Sequence, residues 1–136
     1  MLTDEIIKNL PVLFAALFVV ILFIQSGLDK VFDWKGNLEW LTGHFSKSIL
    51  NGTVPLMLPV ITLMEVMTGI LAAVGIPYLI LTGSTSVIFY SAILGCASLT
   101  ALFFGQRVAK DYPGAAVLVP YFLLLLSLLY LTLPVR

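Results

Sequence analysis

Seven polar positions border or interrupt the apolar stretches of this chain: Gln25, Asp29, Lys30, Glu65, Arg107, Lys110 and Asp111. Glu65 raises the sharpest question, because it stands alone in "ITLMEVMTGI". A carboxylate in hydrocarbon costs about 3 kcal/mol on insertion scales, so it must face protein, pair with a cation or keep its proton. No further charge occurs until "FFGQRVAKDYPGA", where Arg107, Lys110 and Asp111 arrive together. Asp29 and Lys30 close the first apolar run, with Gln25 one turn before Asp29. Lys30 and Arg107 are the cations expected to reach Glu65, since long stems let their charged ends turn inward or outward. Arg107 and Asp111 also have the i, i+4 spacing of a local pair. Such a cluster can neutralise itself as a clamp on helix ends. It can equally line a polar pocket for a headgroup, a quinone or a proton.

Several chemistries lack their residues. The lone histidine, His44, falls outside the apolar runs and reads as an interfacial surface residue, so paired axial ligands for a membrane haem are missing. No Cys/His cluster suits zinc or an iron–sulfur centre, and a single Cys96 offers neither a disulfide nor a dithiol. No glycine-rich phosphate loop occurs, and Ser26 and Ser91 have no evident base for a triad. Zero net charge leaves no basic footprint for nucleic acid. No cofactor is identifiable from these residues, with quinone as the one open possibility.

The elements that hold the seven positions are membrane spans. Sixty per cent of the 136 residues are hydrophobic and only 10% are charged, against about 25% charged in soluble domains. Four spans can be drawn at about 10–28, 54–81, 87–106 and 114–133, each near the ~20 residues that cross a bilayer. Backbone groups in lipid must bond internally, so the spans are helices and the fold class is an all-α four-helix membrane bundle. The first run follows Asp4 and Glu5 rather than a basic segment and precedes no small-residue cleavage site, so it reads as a retained anchor. The second is long and contains Pro55, Pro59 and Pro77, where it can bend.

Between spans 1 and 2, residues 29–53 repeat Leu38, Leu41, Phe45 and Ile49 at helical spacing. Trp34 and Trp40 favour the headgroup layer, and together these suggest a short interfacial amphipathic helix. A loop covering the bundle end fits as well. Within the spans, Thr62, Glu65, Gly69 and Ala72 form one small and polar stripe, which Ser91, Gly95 and Ser98 match on span 3. Small residues let helices approach closely in lipid.

An even number of spans places both termini on one side and the loops 29–53 and 107–113 on the other. Lys30, Lys35, Lys47, Arg107 and Lys110 on the loop side outnumber Lys8 and Arg136, which favours cytoplasmic loops. Pairing of loop cations inside the fold narrows that margin, and the count does not fix the orientation. By connectivity, Asp29, Lys30, Glu65, Arg107, Lys110 and Asp111 all belong to one half of the bundle.

Three motifs, "FIQSGLDKVFDWKGNLEWL", "LMEVMTGILAAVG" and "GQRVAKDYPGA", in this order and spacing resemble the DoxX family of small four-helix bacterial membrane proteins. By that resemblance Gly27, Lys30, Glu65, Gly69, Arg107, Lys110, Asp111 and Gly114 match the family pattern. The resemblance implies a multi-pass protein of the bacterial inner membrane. The wider superfamily includes a subunit of a thiosulfate:quinone oxidoreductase and proteins that assist export or assembly.

The leading expectation is therefore an accessory or assembly subunit. It would use a polar pocket near one membrane face and contacts with the bilayer, with other membrane subunits or with its own copies. The alternatives are a quinone-linked oxidoreductase subunit, with Lys30, Glu65 and Arg107 on the quinone, and a small channel or carrier.

Overall fold

The computed structural model describes residues 2–134, with side chains from Asp4 onward. Arg136, which entered the charge comparison, lies outside the described residues, as do Met1 and Val135. Six helices and no strand occur among the described residues: α1 (Leu2–Lys8), α2 (Leu10–Phe32), α3 (Trp34–His44), α4 (Val54–Thr82), α5 (Ser86–Val108) and α6 (Tyr112–Thr132). The helices α2, α4, α5 and α6 are long and apolar enough to cross a membrane. They pack in the order α2–α4–α5–α6, and α6 returns to α2 to close the bundle.

Helical periodicity explains the core. Val12, Ala16, Val19 and Phe23 of α2 lie on one stripe and are buried. They meet Ala72 and Leu79 of α4, Ile88, Ala92 and Leu99 of α5, and Leu125 and Leu128 of α6. The opposite faces are just as apolar: Phe14, Phe18 and Ile21, Leu56 and Leu63, and Leu123 and Leu126 are exposed. Helices apolar on all sides are stable in a lipid surround, where no aqueous face is required. The chain is an integral, multi-pass membrane protein.

The boundaries depart from the expected spans where polar groups satisfy helix ends. The first span continues through Asp29 and Lys30 to Phe32, carrying both charges on α2 itself. Pro59 and Pro77 lie inside α4, which nevertheless runs for 29 residues, about 44 Å at helical rise. It stops at Gly83, whose φ of 75° is the left-handed conformation that glycine adopts without strain. The last span begins two residues earlier than expected, because Asp111 caps it by accepting a bond from Gly114 N at 3.0 Å.

Residues 29–53 are part helix and part turns. Trp34, Leu38 and Leu41 of α3 pack on Phe45, Val54 and Leu58, which seats α3 across the start of α4. The amphipathic stripe does not run on to Ile49 as its spacing suggested. Ser46 and Ser48 hydroxyls bond to the carbonyls of Gly43 and Phe45, hold successive turns in place of helix, and leave Ile49 83% exposed.

Candidate functional site

Glycines set the geometry of the site. A Cβ on Gly27 of α2 would stand 2.5 Å from the Val66 side chain, and one on Gly69 of α4 would stand 2.6 Å from Ile24 and 3.1 Å from its backbone nitrogen. With no Cβ at either place, α2 and α4 approach closely enough for a short side chain to bridge them. Ser26 does so, its hydroxyl donating to Glu65 Oε2 at 2.6 Å. Lys30, one turn further along α2, donates to Ser26 Oγ at 3.1 Å and places Nζ 2.8 Å from Glu65 Oε1.

The result is a compact triad in which ammonium, hydroxyl and carboxylate are linked in sequence. Glu65 is 2% exposed, and the 2.6 Å bond has the length of a charge-assisted O–H to carboxylate contact. Oε1 differs from Oε2. The ammonium is close to it but outside hydrogen-bond alignment, so Oε1 gains charge without a directed donor. The Lys30 side chain is 16% exposed, which leaves its terminus near the rim of the bundle. Chemically the triad is self-contained. Lys30, paired with Glu65, donates to Ser26 Oγ rather than accepting from it, so it is not placed as a base for that hydroxyl.

The seven charged and polar candidates do not meet in one niche. Lys30 and Glu65 join as expected, with Ser26 as a third member. Arg107 does not reach Glu65: it is exposed, and its guanidinium carbon lies 4.5 Å from the ring centroid of Tyr112. It does not pair with Asp111 either, because α5 ends at Val108 and the i, i+4 geometry is lost. Lys110 adopts φ 62° in the turn, where Lys110 N bonds to Arg107 O and Asp111 N to Gln106 O. These are the two bonds of a Schellman closure, with lysine at the position that usually holds glycine. Gln25, Asp29 and Lys110 are exposed.

Asp111 belongs to a second cluster that the sequence reading missed. Its Oδ1 caps α6, while Oδ2 lies 3.6 Å from His44 Nε2. That same nitrogen is 2.8 Å from Gln106 Oε1, and Trp40 stacks on the imidazole at 4.5 Å between centroids. His44 is therefore a tie between α3 and the α5–α6 turn rather than a free surface residue. No spacing rule connects Asp111 to a histidine 67 residues earlier.

Among the small residues, Thr62, Gly69, Ala72, Ser91, Gly95 and Ser98 are all buried. Only Ser91 bonds across helices, donating to Thr68 O at 2.7 Å. Thr62 and Ser98 bond within their own helices, to Leu58 O and Leu94 O. Gly95 serves by size, since a Cβ there would meet Leu125 at 2.5 Å. Trp34 is half-buried at the start of α3, and Trp40 is 61% exposed.

Two concavities lie away from the triad. One is a shallow crease by Glu5 and Asn9, and the other is an apolar groove of about 260 Å³ between α5 and α6. Among the described residues no group of three or more His, Cys, Asp or Glu side chains gathers for a metal ion. No family model matches the chain, and no curated protein or solved structure is significantly similar to it.

Proposed function

We propose that the chain is a DoxX-like accessory or assembly subunit of a bacterial inner membrane, with both termini on one side, that works by packing against a larger membrane complex. The observation that carries this reading is the closure of the triad. Glu65 is buried, charge-paired with Lys30 and hydrogen-bonded by Ser26, so its charge is committed to fastening α2 to α4. Recognition then falls to the surfaces that remain: the apolar flanks of the spans, and the segment 29–53 with Trp40 and Ile49 exposed. The order and spacing of the three motifs around Lys30, Glu65 and Arg107 support the family assignment. A quinone-linked role asks Glu65 to meet a headgroup, whereas its carboxylate is buried and already met by Lys30 and Ser26.

The test is native electrophoresis of the tagged chain extracted from its own membranes in a mild detergent. A band larger than the monomer, containing a partner at fixed stoichiometry and lost in a folded Trp40→Ala/Ile49→Ser variant, is expected. Migration as a bare monomer overturns the proposal. A fall in quinol oxidation on deleting the chain, with no change in any complex, transfers the function to the oxidoreductase reading.

A further inference from the structure

The α5–α6 groove has a chemistry of its own. Its walls are Leu99, Thr100 and Phe103 from α5 and Leu118, Val119 and Phe122 from α6. Thr100 contributes little polarity, because its hydroxyl is bonded to Cys96 O at 2.8 Å. Continuing the α5 stripe by one turn, from Phe103 at i+4, leads to Arg107. Running the α6 stripe back from Val119 by seven residues leads to Tyr112. Those two residues are the stacked pair, 4.5 Å apart. The cation therefore closes the same seam that the groove follows.

Depth and charge define what fits there. Leu99 lies eight residues below Arg107 and Phe122 ten below Tyr112, so the groove extends about 12–15 Å from the helix ends, the depth of acyl chains. The mouth lies at the level of α3, since His44 reaches Gln106 beside Arg107. That level also carries exposed Trp40, a headgroup-layer residue. Arg107 and Lys110 are exposed there, and the one carboxylate in the turn, Asp111, is turned to the α6 cap and to His44. Two cations without a carboxylate partner among the described residues thus sit above a hydrocarbon slot.

We propose that this seam is a binding site for one anionic phospholipid, with its phosphate on Arg107 and Lys110 and an acyl chain in the groove. The site is separate from the Lys30–Glu65 triad and does not depend on the accessory-subunit reading. Tyr112 holds the guanidinium over its ring, which reduces the freedom lost when a phosphate binds. A zwitterionic lipid supplies the chain but loses most of the attraction at the mouth.

Native mass spectrometry of the full chain with equimolar phosphatidylglycerol and phosphatidylcholine tests this. Each cation near the headgroup is worth about fivefold in affinity, so phosphatidylglycerol is retained by at least about fivefold. Arg107→Gln/Lys110→Gln brings the ratio close to one. Thr100→Phe fills the groove and lowers both adducts. Should that variant fail to fold, phosphatidylglycerol with an acyl-chain diazirine labels Phe103 or Val119 in the unaltered chain. Equal retention of the two lipids, an undiminished preference in the double variant, or labelling elsewhere overturns the proposal. So does displacement by millimolar glycerol phosphate, which marks a site for a free phosphate rather than for a lipid.

Discussion

Replacing Lys30 by methionine leaves Glu65 buried with the Ser26 hydroxyl as its remaining polar contact. Removing one partner of a buried pair costs about 3–5 kcal/mol, since the stranded charge keeps its desolvation penalty. Glu65→Gln is the milder change. Its amide still offers an oxygen to Ser26, and Lys30, already near the rim, can extend to the headgroup layer. The loss there is about 1–2 kcal/mol, the scale of an imperfectly replaced hydrogen bond. Combining the two removes the stranded charge altogether, so the double variant falls near Glu65→Gln alone. The coupling is then about 3–5 kcal/mol, the whole of the Lys30→Met loss and well above the ~0.5 kcal/mol expected of independent sites. Unfolding in mixed micelles with increasing sodium dodecyl sulfate, followed by far-ultraviolet circular dichroism, measures all four proteins. Losses that simply add, or a Glu65→Gln variant weaker than Lys30→Met, would refute the ion-pair account.

The same unfolding assay reads changes at five further positions. Gly69→Ala forces a methyl to 2.6 Å from Ile24 and near its backbone, costing about 1–3 kcal/mol as overpacking. Gly43→Ala, in exposed helix with open space around the new methyl, gains up to about 1 kcal/mol. Lys110→Gly relieves the left-handed backbone at φ 62° and stabilises by about 1 kcal/mol in a zwitterionic detergent, whereas Lys110→Val destabilises. Asp111→Ala loses the α6 cap, about 1 kcal/mol, while Asp111→Asn retains most of it. His44→Ala leaves the midpoint almost unchanged but speeds amide exchange across 34–44, because His44 ties α3 to Gln106 and Asp111; unchanged exchange there would deny the tie.

The spans were legible because hydrocarbon imposes length and apolarity on any helix that crosses it, and 54–81 became Val54–Thr82 with little adjustment. The meeting of Lys30 with Glu65 was legible for a related reason. A carboxylate without water needs a cation, and connectivity left two within reach. Choosing between them was not possible from spacing. Arg107 was lost to Tyr112 by the turn that ends α5, and that turn depends on Lys110 accepting a backbone conformation lysine rarely adopts. Ser26 was dismissed for want of a catalytic base, although its i, i+4 position before Lys30 marked it as sharing that face. Its role came from the closeness of the helices, which a glycine pattern suggests and only packing fixes. His44 was read from its own neighbours, and its partners came from the far end of the chain.

Synthesis order gives the Ser26–Lys30–Glu65 linkage a role in biogenesis. Glu65 trails Ser26 by 39 positions, so the ribosome delivers the hydroxyl and the ammonium before the carboxylate that uses them. Released sideways by itself, α4 would carry a bare anion into oil at about 2.5–3.5 kcal/mol; leaving as a hairpin with α2, it carries none. A nascent α2 still beside its successor removes that cost, so the interval between the two helices is where assembly of this fold leans most on the Lys30–Glu65 pair.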